Sequence, residues 1–362
     1  MRVLYLTDRL SHRGGAPRHL LDVIDGIAKS HTVTVAAAAM DKDVRLPSGT
    51  EFVKVPGLRS GVEQSRGLAK LAPLLSETDF VHAQNVLNPT ALELAKSRPL
   101  IVTVQDHRMF CPGPGRTLPD GRACTTRMSP KVCEACLTDE SHRTRMLTIT
   151  EHRQRALHGV PLLVLSTYMA RELEQAGLPD AIILPPPVRV GPTKLTAGQG
   201  FLIAGRLVHH KGADLAHQAW KESKTQHPLH VAGLGSASSE MDGAVQLGWL
   251  DRNELRIQLG EARALLFPAR WQEPFGIIGA EALAMGTPVI AMETGGMVDW
   301  CGPGTITVAT GDVPGMARAI NALDIEPENA LRIGHEGQER IAQMLDPDML
   351  LNRLTDIYQA HC

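Results

Sequence analysis

The sequence has no apolar run approaching the roughly 20 residues that a membrane-spanning helix needs. It has no basic-plus-apolar leader either, since Met1 passes straight into an alternating, strand-like segment. Net charge is almost absent: 37 Lys and Arg against 39 Asp and Glu leave −2, so the total gives no reason to expect a nucleic-acid partner. The apolar-poor, charge-rich make-up of a disordered chain is missing too, because 43% hydrophobic and 21% charged residues is an ordinary globular composition. What the chain does have is length. At 362 residues it exceeds what one hydrophobic core serves, so two domains are expected. Residues 1–180 carry 23 basic against 19 acidic side chains, +4, and the remainder 14 against 20, −6. A basic first half could draw an anionic substrate or a lipid surface, although a mildly uneven surface explains it equally well.

Strand-like and helical patterns alternate along nearly the whole chain. Residues 2–7, 32–38, 51–55, 80–82, 100–104 and 161–165 read as strands, and 68–75, 91–96, 141–158, 168–176 and a stretch from Pro17 onward as helices. Leu184-Pro185-Pro186-Pro187-Val188 breaks the rhythm. It cannot be helix and makes a poor central strand, so with Gly191-Pro192 and Gly198-Gln199-Gly200 it reads as an interdomain linker. Strands then recur at 201–204, 229–232, 245–247, 264–267 and 288–291, with helices at 213–221, 279–285, 313–323, 330–344 and 349–360. Such alternation implies open, mostly parallel sheets covered on both faces, with ligands at the carboxyl ends of the strands. The expected fold class is α/β. A first Rossmann-like domain over 1–188, with the terminal helix 346–362 packed back on it, and a second over 189–345 would face a central cleft.

Three features after the linker point to an anion site. Arg206 follows a strand in Ala204-Gly205-Arg206, and Lys211-Gly212 opens the next helix, so two cations meet a helix N-terminus. Glu273-Pro274-Phe275-Gly276-Ile277-Ile278-Gly279-Ala280-Glu281 places two glycines where backbone amides can approach a ligand, bracketed by two carboxylates. Gly295-Gly296 follows the strand at 288–291. Each alone is an ordinary turn, surface charge or ion-pair partner; their shared place at one strand-end rim raises the functional reading.

Taken together these residues resemble glycosyltransferase family 4, the group 1 glycosyl transferases, which are retaining enzymes of the GT-B fold. The E-x7-E stretch within EPFGIIGAEALAMGTPVIA carries most of the resemblance, which extends to Gly14-Gly15 and to Asp79-Phe80-Val81-His82 in the first domain. The resemblance implies a hexosyltransferase-type activity (EC 2.4) with a UDP- or GDP-sugar donor and a glycan, lipid-linked or small-molecule acceptor, as in polysaccharide biosynthesis. It implies that Arg206 and Lys211 neutralise the diphosphate, that Glu281 holds the ribose, and that Glu273 holds hydroxyls of the transferred sugar. Amides at Gly276, Ile277 and Ile278 would position sugar and phosphate, and Gly14 and Gly15 would approach the phosphates on closure. Charge developing on a departing diphosphate asks for electrostatic stabilisation and positioning, and no divalent metal is required. Asp41-x-Asp43 and Asp346-x-Asp348 fit a metal-binding D-x-D pattern but fall in surface-like segments.

The chain departs from the family at Gln105-Asp106-His107, where relatives carry a His-Asp pair; either His107 or Gln105 would take over the sugar contact. His82 ends another strand and is a second candidate, set against a satisfied core histidine. An insert over 108–138 holds Cys111, Cys124, Cys133 and Cys136. The closing C-x2-C suits a structural zinc or an iron–sulfur cluster, with disulfides or free thiols as alternatives. Arg143, Arg145, Arg153 and Arg155 share one helix that could touch an acidic acceptor or a membrane surface, or could simply be solvated. The expected location is cytoplasmic, with peripheral contact at the inner membrane face open. Two competing readings remain: a sugar-nucleotide epimerase of the same architecture, and a non-catalytic metal- or redox-binding module.

Overall fold

The computed structural model of the chain describes residues 1–59, 67–236 and 241–362. The chain divides into two compact units, one formed by 1–187 with 348–362 and the other by 188–347. The first unit is built on β1 (Arg2–Leu10), β2 (Thr32–Met40), β3 (Glu51–Lys54), β4 (Phe80–Gln84), β5 (Leu100–Val104), β6 (Leu162–Val164) and β7 (Ile182–Ile183). Its helices are α1 (Gly15–Ile27), α2 (Leu71–Ser76), α3 (Pro89–Ala95), α4 (Pro130–Cys133), α5 (Glu140–Leu157) and α6 (Thr167–Gln175). The second unit has β8 (Phe201–Ala204), α7 (Ala213–Ser223), β9 (Leu229–Ala232), β10 (Val245–Gly248), α8 (Arg252–Glu261), β11 (Ala264–Phe267) and α9 (Ile277–Ala284). It continues through β12 (Val289–Met292), β13 (Thr305–Val308), α10 (Val313–Ile325) and α11 (Pro327–Met344), before α12 (Pro347–Ala360).

Both sheets are parallel and share one topology, β3-β2-β1-β4-β5-β6-β7 and β10-β9-β8-β11-β12-β13. The sequences of the inner strands explain this. β5 reads LIVTV and β11 reads ALLF, every residue buried, as strands covered by helices on both faces must be. In each sheet the order reverses beside the first strand, between β1 and β4 and between β8 and β11. Such switch points leave a crevice at the carboxyl edge.

Besides the single turn α4 in the cysteine insert, three elements were not expected from the sequence. β7 is an edge strand of two residues, β13 pairs with β12, and α8 is a largely solvated helix whose apolar content is too low to show periodicity. α12 is counted with the first unit, and its Tyr358 explains how it is held. The Tyr358 hydroxyl lies 2.7 Å from Tyr5 Oη and 2.6 Å from His82 Nδ1, while His82 Nε2 lies 2.6 Å from Thr103 Oγ1. Tyr5, Tyr358 and His82 are all buried, so the chain of hydrogen bonds is completed inside the unit.

Candidate functional site in the second unit

The β8/β11 switch point gathers all three features singled out in the second half of the sequence. The carboxyl end of β8 carries exposed Arg206, and a turn of 3-10 helix over His209–Lys211 precedes α7. Gly212 takes φ 71° there, and a Cβ on it would overlap the Pro268 carbonyl, so the turn can press against the segment after β11. That segment supplies Glu273, whose side chain is only 6% exposed. Its Oε1 lies 2.5 Å from Lys211 Nζ. A partly buried ammonium and a buried carboxylate thus form a charge-assisted pair across 62 residues of sequence.

The glycines have local reasons. Gly276 caps α9 with φ 80°, without a side-chain cap, so the first amides of α9 keep their donors. Gly279 lies against the buried Trp300 ring, whose Nε1 donates to the Phe275 carbonyl at 2.6 Å. Gly295 (φ 52°) wraps the Glu273 backbone: a Cβ there would overlap the Glu273 carbonyl and sit 2.7 Å from its nitrogen. Gly296 N donates to that same carbonyl at 2.6 Å. Gly295-Gly296 therefore serves to hold Glu273. Glu281 is half-buried on α9. His210 Nε2 and Thr294 Oγ1 are buried without a hydrogen-bond partner among the described residues, the kind of deficit that a polar ligand or water corrects. Burial, with Lys211 and Arg206 nearby, holds the His210 imidazole below its usual range.

Sequence reasoning missed several residues here. Arg270 bonds the His209 carbonyl at 3.0 Å and both Asp214 oxygens at 2.5 and 2.6 Å, tying the turn to the β11 segment. Trp271 lies beneath Lys211, with Nζ 4.8 Å from a ring centroid. The available signal was adjacency, since Trp271 stands two residues before Glu273 and Arg270 three.

The first-unit candidates are placed differently. Gly14 caps α1 with φ 99° and Gly15 is exposed, at the carboxyl edge of the first sheet. His82 is 1% exposed with both ring nitrogens engaged as described, and burial depresses it to about 3. His107 is 2% exposed, with Nε2 3.0 Å from Tyr168 Oη, and burial lowers it to about 4. Gln105 is equally enclosed. Its Oε1 accepts from Gln84 Nε2 at 3.0 Å and Asn85 Nδ2 at 3.4 Å, and its Nε2 meets His19 Nδ1. These three side chains build the interior of the first unit rather than a solvent-facing contact.

The four insert cysteines are free thiols in one neighbourhood, and three of them meet polar groups. Cys111 Sγ accepts from Arg116 N at 3.5 Å, Cys124 Sγ lies 3.9 Å from the Arg116 guanidinium, and Cys136 Sγ reaches the Thr117 carbonyl at 3.9 Å. Burial raises the thiols of Cys133 and Cys136. Cys111, Cys124 and Cys133 all act electrostatically on Cys136, and among the described residues no group of three or more His, Cys, Asp or Glu is arranged to hold a metal ion. The expected basic stripe on α5 also changes. Arg153 is 4% exposed and donates inward to the Leu87 and Arg108 carbonyls at 2.9 and 3.1 Å. Asp41, of the first D-x-D, is taken by Arg9 at 2.5 Å and Ser11 at 2.6 Å. No helix among the described residues is long and apolar enough to cross a membrane.

Comparison with known proteins agrees with this geometry. The family described as "Glycosyl transferases group 1" matches residues 198–324, the stretch that carries Arg206, Lys211, Glu273 and Glu281. Glycogen synthase of Mycobacterium tuberculosis is 28% identical over 244 residues, 63% of this chain and 53% of that protein, so the match spans about half the relative's length. The uncharacterized glycosyltransferase YqgM of Bacillus subtilis is 25% identical over 63% of this chain and 67% of its own. The crystal structure of Anabaena Alr3699/HepE in complex with UDP and glucose superposes with a TM-score of 0.74 at 15% identity, covering 99% of this chain and 100% of that one. WaaG, a glycosyltransferase involved in lipopolysaccharide biosynthesis, gives 0.69 at 16%, covering 98% and 99%. The chain therefore has the GT-B fold of two parallel α/β sheets, and its second unit carries the group 1 glycosyl transferase pattern.

Proposed function

We propose that the chain is a retaining glycosyltransferase that moves a hexose from a nucleotide-diphosphate sugar to a hydroxyl acceptor. The observation that carries this reading is the Lys211–Glu273 pair at the β8/β11 switch point, 2.5 Å across, beside Arg206 and the uncapped start of α9. Cleaving the anomeric C–O bond leaves two electrons and negative charge on the diphosphate and an oxocarbenium-like sugar. Arg206 and Lys211 would stabilise the leaving group; one preorganised donor of this kind is worth about 2.7–4 kcal/mol. Glu273, fixed by Lys211 and by Gly296, would accept hydrogen bonds from sugar hydroxyls, and Glu281 from the ribose. UDP and glucose in the Anabaena neighbour, and the name 2-deoxystreptamine glucosyltransferase of a Streptomyces kanamyceticus relative 30% identical over 40% of this chain, support a UDP-hexose donor. A carboxylate committed to an ammonium suits grip better than proton shuttling, which weighs against an epimerase.

The test is a thermal-shift screen of UDP, GDP and their sugars. A true donor product at 100 times its Kd should stabilise the fold by about 2.7 kcal/mol, and Lys211→Ala and Arg206→Ala should each reduce that shift, through weaker binding that higher ligand concentration still saturates, while remaining folded. No shift with any nucleotide diphosphate, or full activity in both variants, contradicts the reading.

A further inference from the structure

The Lys211 side chain has four rotatable bonds and is partly exposed, yet it rests at one point. Glu273 fixes only the distance of Nζ from one oxygen. Trp271 supplies a second contact of a different kind, with Nζ 4.8 Å from a ring centroid. The indole itself is held. The His210 ring packs on it at 5.0 Å and 56°, and its backbone N–H donates to the His210 carbonyl at 3.3 Å. Consecutive residues of one turn, 210 and 211, thus embrace one indole.

We propose that Trp271 is a positioning residue for the Lys211 ammonium, keeping it aimed at the diphosphate of a nucleotide ligand. This rests on the reading of the site as a nucleotide-diphosphate clamp. The chemistry is specific. An aromatic face attracts a cation through its quadrupole without using any N–H donor. The ammonium has three donors; Glu273 takes one, and the others stay available to phosphate oxygens. A second carboxylate in place of the ring would hold Nζ as well but would repel the arriving diphosphate, whereas a neutral indole does not. Among aromatic residues Trp gives the strongest attraction of this kind.

Binding of UDP, or of GDP if the wild type prefers it, is measured by calorimetry for wild type, Trp271→Leu, Trp271→Phe, Lys211→Ala and the two double variants. Trp271→Leu should weaken binding about tenfold and Trp271→Phe about threefold. Neither should matter in the Lys211→Ala background, where the effects should stay within about twofold. A merely structural role gives the same loss in both backgrounds, and that result overturns the proposal, as does unchanged affinity in Trp271→Leu. If Trp271→Leu fails to unfold cooperatively, the Trp271→Phe pair decides alone by the same criterion. A wild type that binds neither nucleotide overturns the clamp reading and this proposal with it; binding by the wild type with additive losses overturns this proposal only.

Discussion

Mild acid should unfold the first unit well before the second. His19, His82 and His107 are 8%, 1% and 2% exposed, and burial depresses them to about 4, 3 and 4. In the folded unit these rings stay neutral at pH 5, while in the unfolded chain each takes a proton near pH 6.5. The unfolded state then binds more protons, so stability is complete above pH 6.5 and falls as pH drops through that value, levelling only below the folded pKa values. Each ring contributes up to about 1.4 kcal/mol per pH unit, and the three together remove about 5 kcal/mol between pH 6.5 and 5. That is comparable to the whole stability of a typical domain, about 5–15 kcal/mol. Burial and nearby cations depress His210 in the second unit too, but one half-buried ring is a weaker lever. Hydrogen exchange at pH 7 and pH 5 reads the units separately. Protection should collapse first in β1, β4 and β5, and His107→Gln should recover about a third of the loss. Equal loss in both units, or protection in β4 and β5 unchanged at pH 5, refutes the reasoning.

Three further outcomes follow from single contacts. Tyr358→Phe removes the hydroxyl shared by Tyr5 and His82 and should cost about 1–3 kcal/mol in denaturant unfolding of the first unit; no change means α12 is held by packing alone. Gly295→Ala forces a Cβ onto the Glu273 carbonyl and should weaken nucleotide-diphosphate binding at least about tenfold, while β4 and β5 keep their exchange protection. Arg270→Lys breaks a bidentate grip on Asp214 and the hold on the His209 carbonyl. It should weaken the same binding by about threefold to tenfold, and unchanged affinity would show that the turn stands without the clamp.

Most of the fold was legible because buried parallel strands announce themselves as unbroken apolar runs such as LIVTV. The misses have physical causes. α8 buries little, so periodicity was silent, although Asp251 and Glu254 form a capping box that could have marked its start. The two-residue β7 ends one residue short of the prolines, and β13 sits behind Gly302-Pro303-Gly304. In the site, Lys211 and Glu273 were each visible as residue types, but their pairing is a long-range contact that spacing does not encode. His82 was ambiguous for the same reason: its partner Tyr358 lies 276 residues away, and nothing local distinguishes a strand-end ligand contact from the satisfied core histidine that was its alternative.

The β8/β11 edge is expected to grip a pyrophosphate. A crystal structure with UDP or GDP should place the β-phosphate within about 3 Å of Lys211 Nζ, with Arg206 turned onto it and the Lys211–Glu273 contact retained. Nucleotide bound elsewhere, or Lys211 and Arg206 pointing into solvent beside a bound diphosphate, contradicts it.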